Sequence, residues 1–342
     1  MNVSTDKHLL NARITGPSCW TGPDLKNRDD WHYVLTQTEA DELETAARAT
    51  ADRPVLDITA DEFPLPSLGP KLAEARTQAL YGTGISLLRG VPVIDRDENT
   101  AARILWGLGQ HIGIPQPQDA SGALLHHVRD TGASVAGNSN IRTYETREAQ
   151  PWHNDGGDLF MLLCRQVSTS GGGSYVASAH TVFNALLERN PELVETLQRD
   201  FFFDARGQAL PGCGPVQQVP IYTWFRDRLM ILHKRHYIEH AQRFPEVPRL
   251  TEGQIAALDA FDEICERDDI HLSFQLEPGD VQIGHNFSVL HKRGAFDQSG
   301  EGPSRRHLLR LWLGLPDGWP LPETYRLTRE FGPLFQVREM AA

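Results

Sequence analysis

Three stretches in the first third of the chain carry helix formers with apolar residues at one-face spacing. They cover residues 38–48, 71–80 and 100–111, the last placing Ala101, Ile104, Leu105 and Leu108 on one stripe. Between them a short apolar run, 85–90, ends in glycine and reads as a strand. From about Leu124 the period shortens to two. Strands are predicted over 141–146, 158–167, 174–178, 221–225, 229–233, 271–276, 280–284 and 307–314. Two helices interrupt them. One covers 181–199; the other starts at Thr251, where Gln254 completes a capping-box pattern, and continues through Ile255, Leu258, Phe261 and Ile264. Many short strands with a few inserted helices predict a mainly β, α+β fold: a sandwich or barrel with helices packed outside. No repeat, low-complexity tract or long linker divides the chain. The expectation is one domain over 1–342, with a helical portion at about 20–120 and a sheet core at about 121–320.

Charge narrows the partners. Lys and Arg number 33 against 45 Asp and Glu, a net charge of −12. Such a chain is repelled by nucleic acid and by anionic membrane surfaces, and it must meet any anionic small molecule with a few local arginines. No apolar run approaches the ~18 residues that cross a bilayer. The amino terminus lacks the basic start and apolar stretch of a secretory signal, so a cytoplasmic location is expected. Cys19, Cys164, Cys213 and Cys265 are far apart and form no CxxC pair, which indicates neither a thiolate zinc site nor a disulfide framework. Cys164, inside an apolar run, reads as a small buried hydrophobe. Nothing in the sequence decides between a monomer and a homo-oligomer.

The segment Pro151-Trp152-His153-Asn154-Asp155-Gly156-Gly157-Asp158 carries the most chemistry. On an extended strand, residues i and i+2 share a face, so His153 and Asp155 can offer an imidazole nitrogen and a carboxylate oxygen to one metal ion. The glycines after Asp155 let the backbone turn away. A second segment, 277–291, runs through a turn and a strand to His291, and Arg305, Arg306 and Arg310 follow. Two imidazoles and one carboxylate on one face of a metal leave open positions, as in Fe(II) oxygenases. An arginine beyond the last histidine can clamp a carboxylate with two parallel hydrogen bonds.

With these residues the chain resembles the TauD/TfdA superfamily, the taurine catabolism dioxygenase type of Fe(II)/2-oxoglutarate-dependent oxygenase. The resemblance runs from about Trp20 to Pro320. It is strongest in Trp152 to Asp155, in Ser170-Gly171-Gly172-Gly173-Ser174 and in Val289 to Leu313. It implies a double-stranded β-helix (jelly-roll) core, with Fe(II) as cofactor and 2-oxoglutarate and O2 as co-substrates. Residue by residue, it makes His153, Asp155 and His291 the metal triad. Ser174 falls where the family often has a threonine touching 2-oxoglutarate. Arg306, fifteen residues past His291, matches the arginine that pairs with the distal carboxylate of 2-oxoglutarate. Arg310 matches a second arginine that faces cofactor or an anionic substrate. The chain departs from the taurine enzyme in its greater length, in Ser174 for threonine and in the residues before His153. Those departures leave the metal chemistry intact and the substrate undefined. Halogenating members carry a small residue where Asp155 stands, so the resemblance implies hydroxylation of an unactivated C–H bond with release of succinate and CO2.

For the substrate wall the sequence offers Arg142 and Tyr144, which share a strand face with Thr146, and also Trp152, His285 and Asn286. Trp20 is a further candidate for a lid or wall, whereas Trp106 reads as core. The substrate class is a small anionic or amino-acid-like molecule. Three alternatives stay open: desaturation or cyclisation by the same machinery, a non-catalytic jelly-roll binding protein, and a zinc hydrolase built on His236 and His240, spaced i, i+4.

Overall fold

A computed structural model of the chain describes residues 9–132, 146–297 and 306–341. Three of its longer helices start at side chains suited to the task. Thr36 and Thr251 accept the amide protons of Glu39 and Gln254, whose side chains reach back to the cap, and Asp97 accepts from Thr100. The resulting helices cover Gln37–Ala49, Glu252–Cys265 and Glu98–Ile112. The single helix predicted over 181–199 is two, Ala179–Arg189 and Pro191–Leu197. Asn190 between them is extended, its side chain caps Glu192, and Pro191 has no N–H with which to continue the first helix.

Eleven strands form the two principal sheets. In chain order they are β1 His32–Val34, β2 Ile85–Arg89, β3 Ile114–Pro115, β4 Leu125–Arg129, β5 Gln150–His153 and β6 Leu159–Gln166, followed by β7 Ser174–Ser178, β8 His271–Phe274, β9 Val281–His285, β10 Val289–Arg293 and β11 His307–Gly314. The larger sheet has the order β1-β2-β9-β6-β11-β3, with β4 also on β11; the smaller is β8-β7-β10-β5. From β5 to β6, and again from β8 through β9 and β10 to β11, consecutive strands pass from one sheet to the other. That alternation winds the chain as a double-stranded β-helix. The portion before residue 120 is not helical throughout, because it contributes β1, β2 and β3 to the larger sheet.

All eight residues of β11 are buried, and its two faces do different things. Leu309, Leu311 and Leu313 belong to the main apolar core. Gly109 of the helix Glu98–Ile112 lies so close that a Cβ there would come 2.7 Å from Leu311. The alternate residues Leu308 and Arg310 line an internal cavity with Leu162 and Gln282. Trp106 is core, as predicted, with its indole N–H on the Ile58 carbonyl. Trp20 is also buried, bonded to the Thr83 carbonyl in a separate apolar cluster, and forms no lid. Cys164 and Cys265 are buried, and none of the four cysteines is paired. Among the described residues no helix is long and apolar enough to cross a membrane.

Candidate active site

β5 and β10 are antiparallel neighbours, and His153 stands directly opposite His291 in their register. The two rings lie 4.1 Å apart between centroids. β5 stops at His153, so Asp155 is delivered by the turn before β6 and not by the extended strand that the sequence predicts. Gly157 makes this turn at φ +76°, and a Cβ there would sit 2.9 Å from the Leu313 carbonyl. Asn286 holds the turn in place. Its Oδ1 accepts the Asp155 amide at 3.0 Å, and its Nδ2 donates to the carbonyls of Gly156 (2.6 Å) and Gly157 (3.2 Å).

One donor atom from each of His153, Asp155 and His291 lies within 4.8 Å of the other two, and all three residues are buried. His153 donates Nδ1–H to the Pro151 carbonyl at 2.8 Å, which leaves Nε2 with a lone pair that accepts from Gln150 Nε2 at 2.8 Å. Burial first, then the neighbouring His291, holds the His153 imidazole well below its ordinary range, and burial brings His291 down to about 4. Burial alone would push the Asp155 carboxyl up. The Arg310 guanidinium and the two imidazoles overcome it and hold that carboxyl below the usual carboxylate range. Two neutral imidazoles and an ionised carboxylate are the protonation states a metal ion requires.

Two cavities meet at this group. One includes His291, Asp155 and Ser174 and reaches Arg293 and Arg306. Arg306 is 5% exposed, and its Nη1 has no hydrogen-bond partner among the described residues. A buried, unsatisfied guanidinium at the end of a cavity fits the distal carboxylate of 2-oxoglutarate. The other cavity includes His153, Asp155 and Trp152 and is walled by Arg206, Lys234, Trp312 and Arg329. The donor set fits Fe(II): two nitrogens and one carboxylate, with space on either side for further ligands.

Other candidates fall elsewhere. His285 and Asn286, expected at the substrate, are fully buried and line neither cavity. Asn286 is spent on the Asp155 turn, and His285 bonds the Ser288 hydroxyl and packs on Trp319. Arg142 and Tyr144 lie outside the described residues. Arg310 touches both cavities but is engaged by Asp155 and by Gln118 Oε1 at 2.8 Å. His236 faces Glu239, and no metal-binding group among the described residues includes it or His240. A second cluster, Glu98, His127 and His307, already holds two guanidinium groups: Arg129 at 2.9 Å from Glu98 and Arg165 at 2.9 Å from His307. Those cations engage the Glu98 and His307 atoms that a metal would need.

The comparisons with known proteins agree with this geometry. A profile of the taurine catabolism dioxygenase TauD, TfdA family matches residues 50–312. The chain belongs to that family. It is an Fe(II)/2-oxoglutarate-dependent dioxygenase. It is 33% identical over 324 residues to the FR-33289 synthase of Streptomyces rubellomurinus, covering 92% of this chain and 94% of that protein. It is 28% identical over 356 residues to the taurine hydroxylase-like protein SAT17 of Stachybotrys chartarum, covering 98% of this chain and 89% of that one. Its fold matches an asparagine oxygenase solved with Fe(II), 2S,3S-3-hydroxyasparagine and succinate, at a TM-score of 0.63 and 20% identity over 84% of this chain and 94% of that one.

The sequence reading of this dioxygenase missed several polar residues that the fold gathers at the site: Gln118, Gln150, Arg206, Lys234, Arg329 and Glu330. Lys234 gives its ammonium to Glu330 at 2.6 Å, and Arg329 donates to the same oxygen at 3.3 Å. Burial opposes ionisation of Glu330, but these two cations bring its carboxyl down to about 2. The pairing joins segments far apart in the chain, and no local pattern announces it.

Proposed function

We propose that His153, Asp155 and His291 hold Fe(II), that Arg306 and Ser174 receive 2-oxoglutarate, and that the enzyme hydroxylates an unactivated C–H bond of a small anionic or amino-acid-like substrate, releasing succinate and CO2. The observation that carries this reading is the meeting of two separate cavities at one buried His-Asp-His group, one ending on Arg306 and the other walled by basic side chains. When bound, the metal with 2-oxoglutarate and O2 supplies the oxidising power. The chain's own residues position and exclude. Asn286 fixes the direction of the Asp155 carboxylate, and the Pro151 carbonyl orients His153 by accepting its Nδ1–H. Arg306 draws the co-substrate to the His291 side, leaving the His153 side for the C–H bond. In the solved asparagine oxygenase complex a hydroxylated amino acid and succinate are bound together, the pair of products such a reaction gives.

The whole chain, 1–342, is read as one oxygenase domain, since strands from both its early and late parts share the larger sheet. Its net charge of −12 supports an enzyme without nucleic-acid or anionic-membrane partners.

The test is succinate formation from 2-oxoglutarate by anaerobically Fe(II)-loaded protein on admitting O2, against panels of amino acids and small acids. A parallel sample carries Asp155→Ala. Succinate that rises with one substrate and disappears in the variant is expected. Equal succinate from the variant would remove Asp155 from the metal centre, and no 2-oxoglutarate binding to iron-replete protein would sink the reading altogether.

A further inference from the structure

β5 and β10 do not run in step. His291 stands opposite His153 and Arg293 opposite Gln150, so two residues of β10 are matched by three of β5. The extra residue is a β-bulge. It cancels the alternation that would send Gln150 and His153 to opposite faces of the sheet. Pro151 sits within it, a place where its missing N–H takes no rung from the ladder. The Pro151 carbonyl accepts His153 Nδ1–H at 2.8 Å. Trp152 goes to the other face, onto Tyr175 and His271. Gln150 is thereby turned to the face that carries His153 and His291.

There the Gln150 carboxamide donates to His153 Nε2 at 2.8 Å. With Nδ1 committed to Pro151, Nε2 is the nitrogen left for coordination, and its single lone pair has two claimants. A metal ion held by His153 takes the place of the Gln150 donor. Three residues, Gln150, Asp155 and Arg310, border both cavities. Arg310 is engaged by Asp155 and by Gln118. Gln150 therefore brings a neutral donor to the junction, beside the ligating nitrogen of His153.

From this geometry we propose that Gln150 exchanges partners on loading: it yields His153 Nε2 to the metal and donates instead to the chelating end of 2-oxoglutarate. The proposal rests on the metal centre and the Arg306 site proposed above. With its distal carboxylate at Arg306, the co-substrate turns its 1-carboxylate and 2-oxo oxygens toward the metal. A donor that already lies 2.8 Å from the ligating nitrogen reaches such an oxygen by side-chain rotation alone. Gln150 then opposes metal binding and supports co-substrate binding, two effects of opposite sign from one side chain.

The experiment is anaerobic titration calorimetry of Fe(II) into the parent chain and into Gln150→Leu. 2-Oxoglutarate is then titrated into each Fe(II)-loaded protein while its visible charge-transfer band is followed. Gln150→Leu is expected to bind Fe(II) about three- to tenfold tighter, because no hydrogen bond is displaced. It should bind 2-oxoglutarate about tenfold or more weakly, because a carboxylate loses a donor. Gln150→Glu has no N–H to give and adds a charge beside the co-substrate, so it should show the same pair of signs, each larger. A residue that only supports β5 would weaken both steps when removed. Fe(II) affinity at or below the parent value in the leucine variant, or unchanged 2-oxoglutarate affinity, would overturn the proposal and leave the metal centre standing. Absence of the band in the parent protein strikes the proposed function, and the exchange with it.

Discussion

Arg310 gives one guanidinium nitrogen to both oxygens of Asp155, at 3.0 and 3.2 Å, with both side chains buried. The pair is anchored from behind by Gln118, which accepts from Arg310 Nε and donates to the Arg310 carbonyl. Arg310→Gln should therefore strand a buried carboxylate and destabilise the metal-free protein by about 3 kcal/mol. Adding Asp155→Asn should restore much of that loss. Urea unfolding of the two single variants and the double variant measures the coupling; strictly additive losses would mean that the contact carries no energy of its own.

Arg306 ends its cavity with Nη1 unsatisfied, so removing it should cost co-substrate and little else. Arg306→Gln is expected to raise the KM for 2-oxoglutarate about 10- to 100-fold, the worth of a charged hydrogen-bonded contact. Fe(II) affinity should stay at the parent value. Arg306→Lys keeps the charge without the fork and should fall between the two. Steady-state kinetics decide it, and an unchanged KM would move the distal carboxylate elsewhere.

Asn286 satisfies three backbone groups of the Asp155 turn at once. Asn286→Ala should lower stability by about 1–3 kcal/mol through those unmet partners. It should also weaken Fe(II) binding about 10- to 100-fold, because the ligand is no longer aimed. The second effect separates positioning from mere folding. A variant less stable but with parent metal affinity would make Asn286 a structural clamp only.

His285 gives the protein an acid sensitivity of known sign. Burial, then the charges of His180 and nearby arginines, brings its imidazole down to about 3, so it is neutral when folded. Unfolded, it titrates near 6.5. Between those values only the unfolded chain takes up the proton. Stability present above about pH 6.5 is therefore lost as pH falls through this window, by at most ~1.4 kcal/mol per pH unit from this group. His285→Gln should flatten the pH dependence of the unfolding free energy over the upper part of the window. An unaltered slope would show that the folded protein protonates His285 without cost.

Much of this was readable along the chain because it is local. β11 announces itself as a continuous apolar run broken by one arginine, and β7 falls at 174–178 as the alternation requires. The His153 and Asp155 pair is visible because it is two residues long, and Asn190-Pro191 spells the helix break that a purely periodic reading passes over. The hairpin Asp200–Asp204 with Val216–Pro220 is less visible, since three consecutive phenylalanines hide the alternation. The cationic wall is hardest. Arg206, Lys234 and Arg329 come from three distant segments, and Glu330, the partner of Lys234 and Arg329, would pass for a surface residue in any local window. His285 and Asn286 show the reverse error: polar residues between two strands suggested a pocket wall, but the fold consumes them in backbone and ring contacts.

Among the described residues β5 lies at the end of the small sheet, paired with β10 and bridged on its other side at His153 to Lys234, and its register slips just past His291. An edge with so few rungs is where a sheet begins to fray. The rung nearest the slip is the one formed by the two histidines. An ion shared between them would act as a rivet, holding the last strand to its neighbour by coordination bonds that do not depend on backbone pairing. Loading the enzyme and tightening the end of its sheet would then be one event, and a protease offered the empty chain would meet a looser margin than on the loaded one.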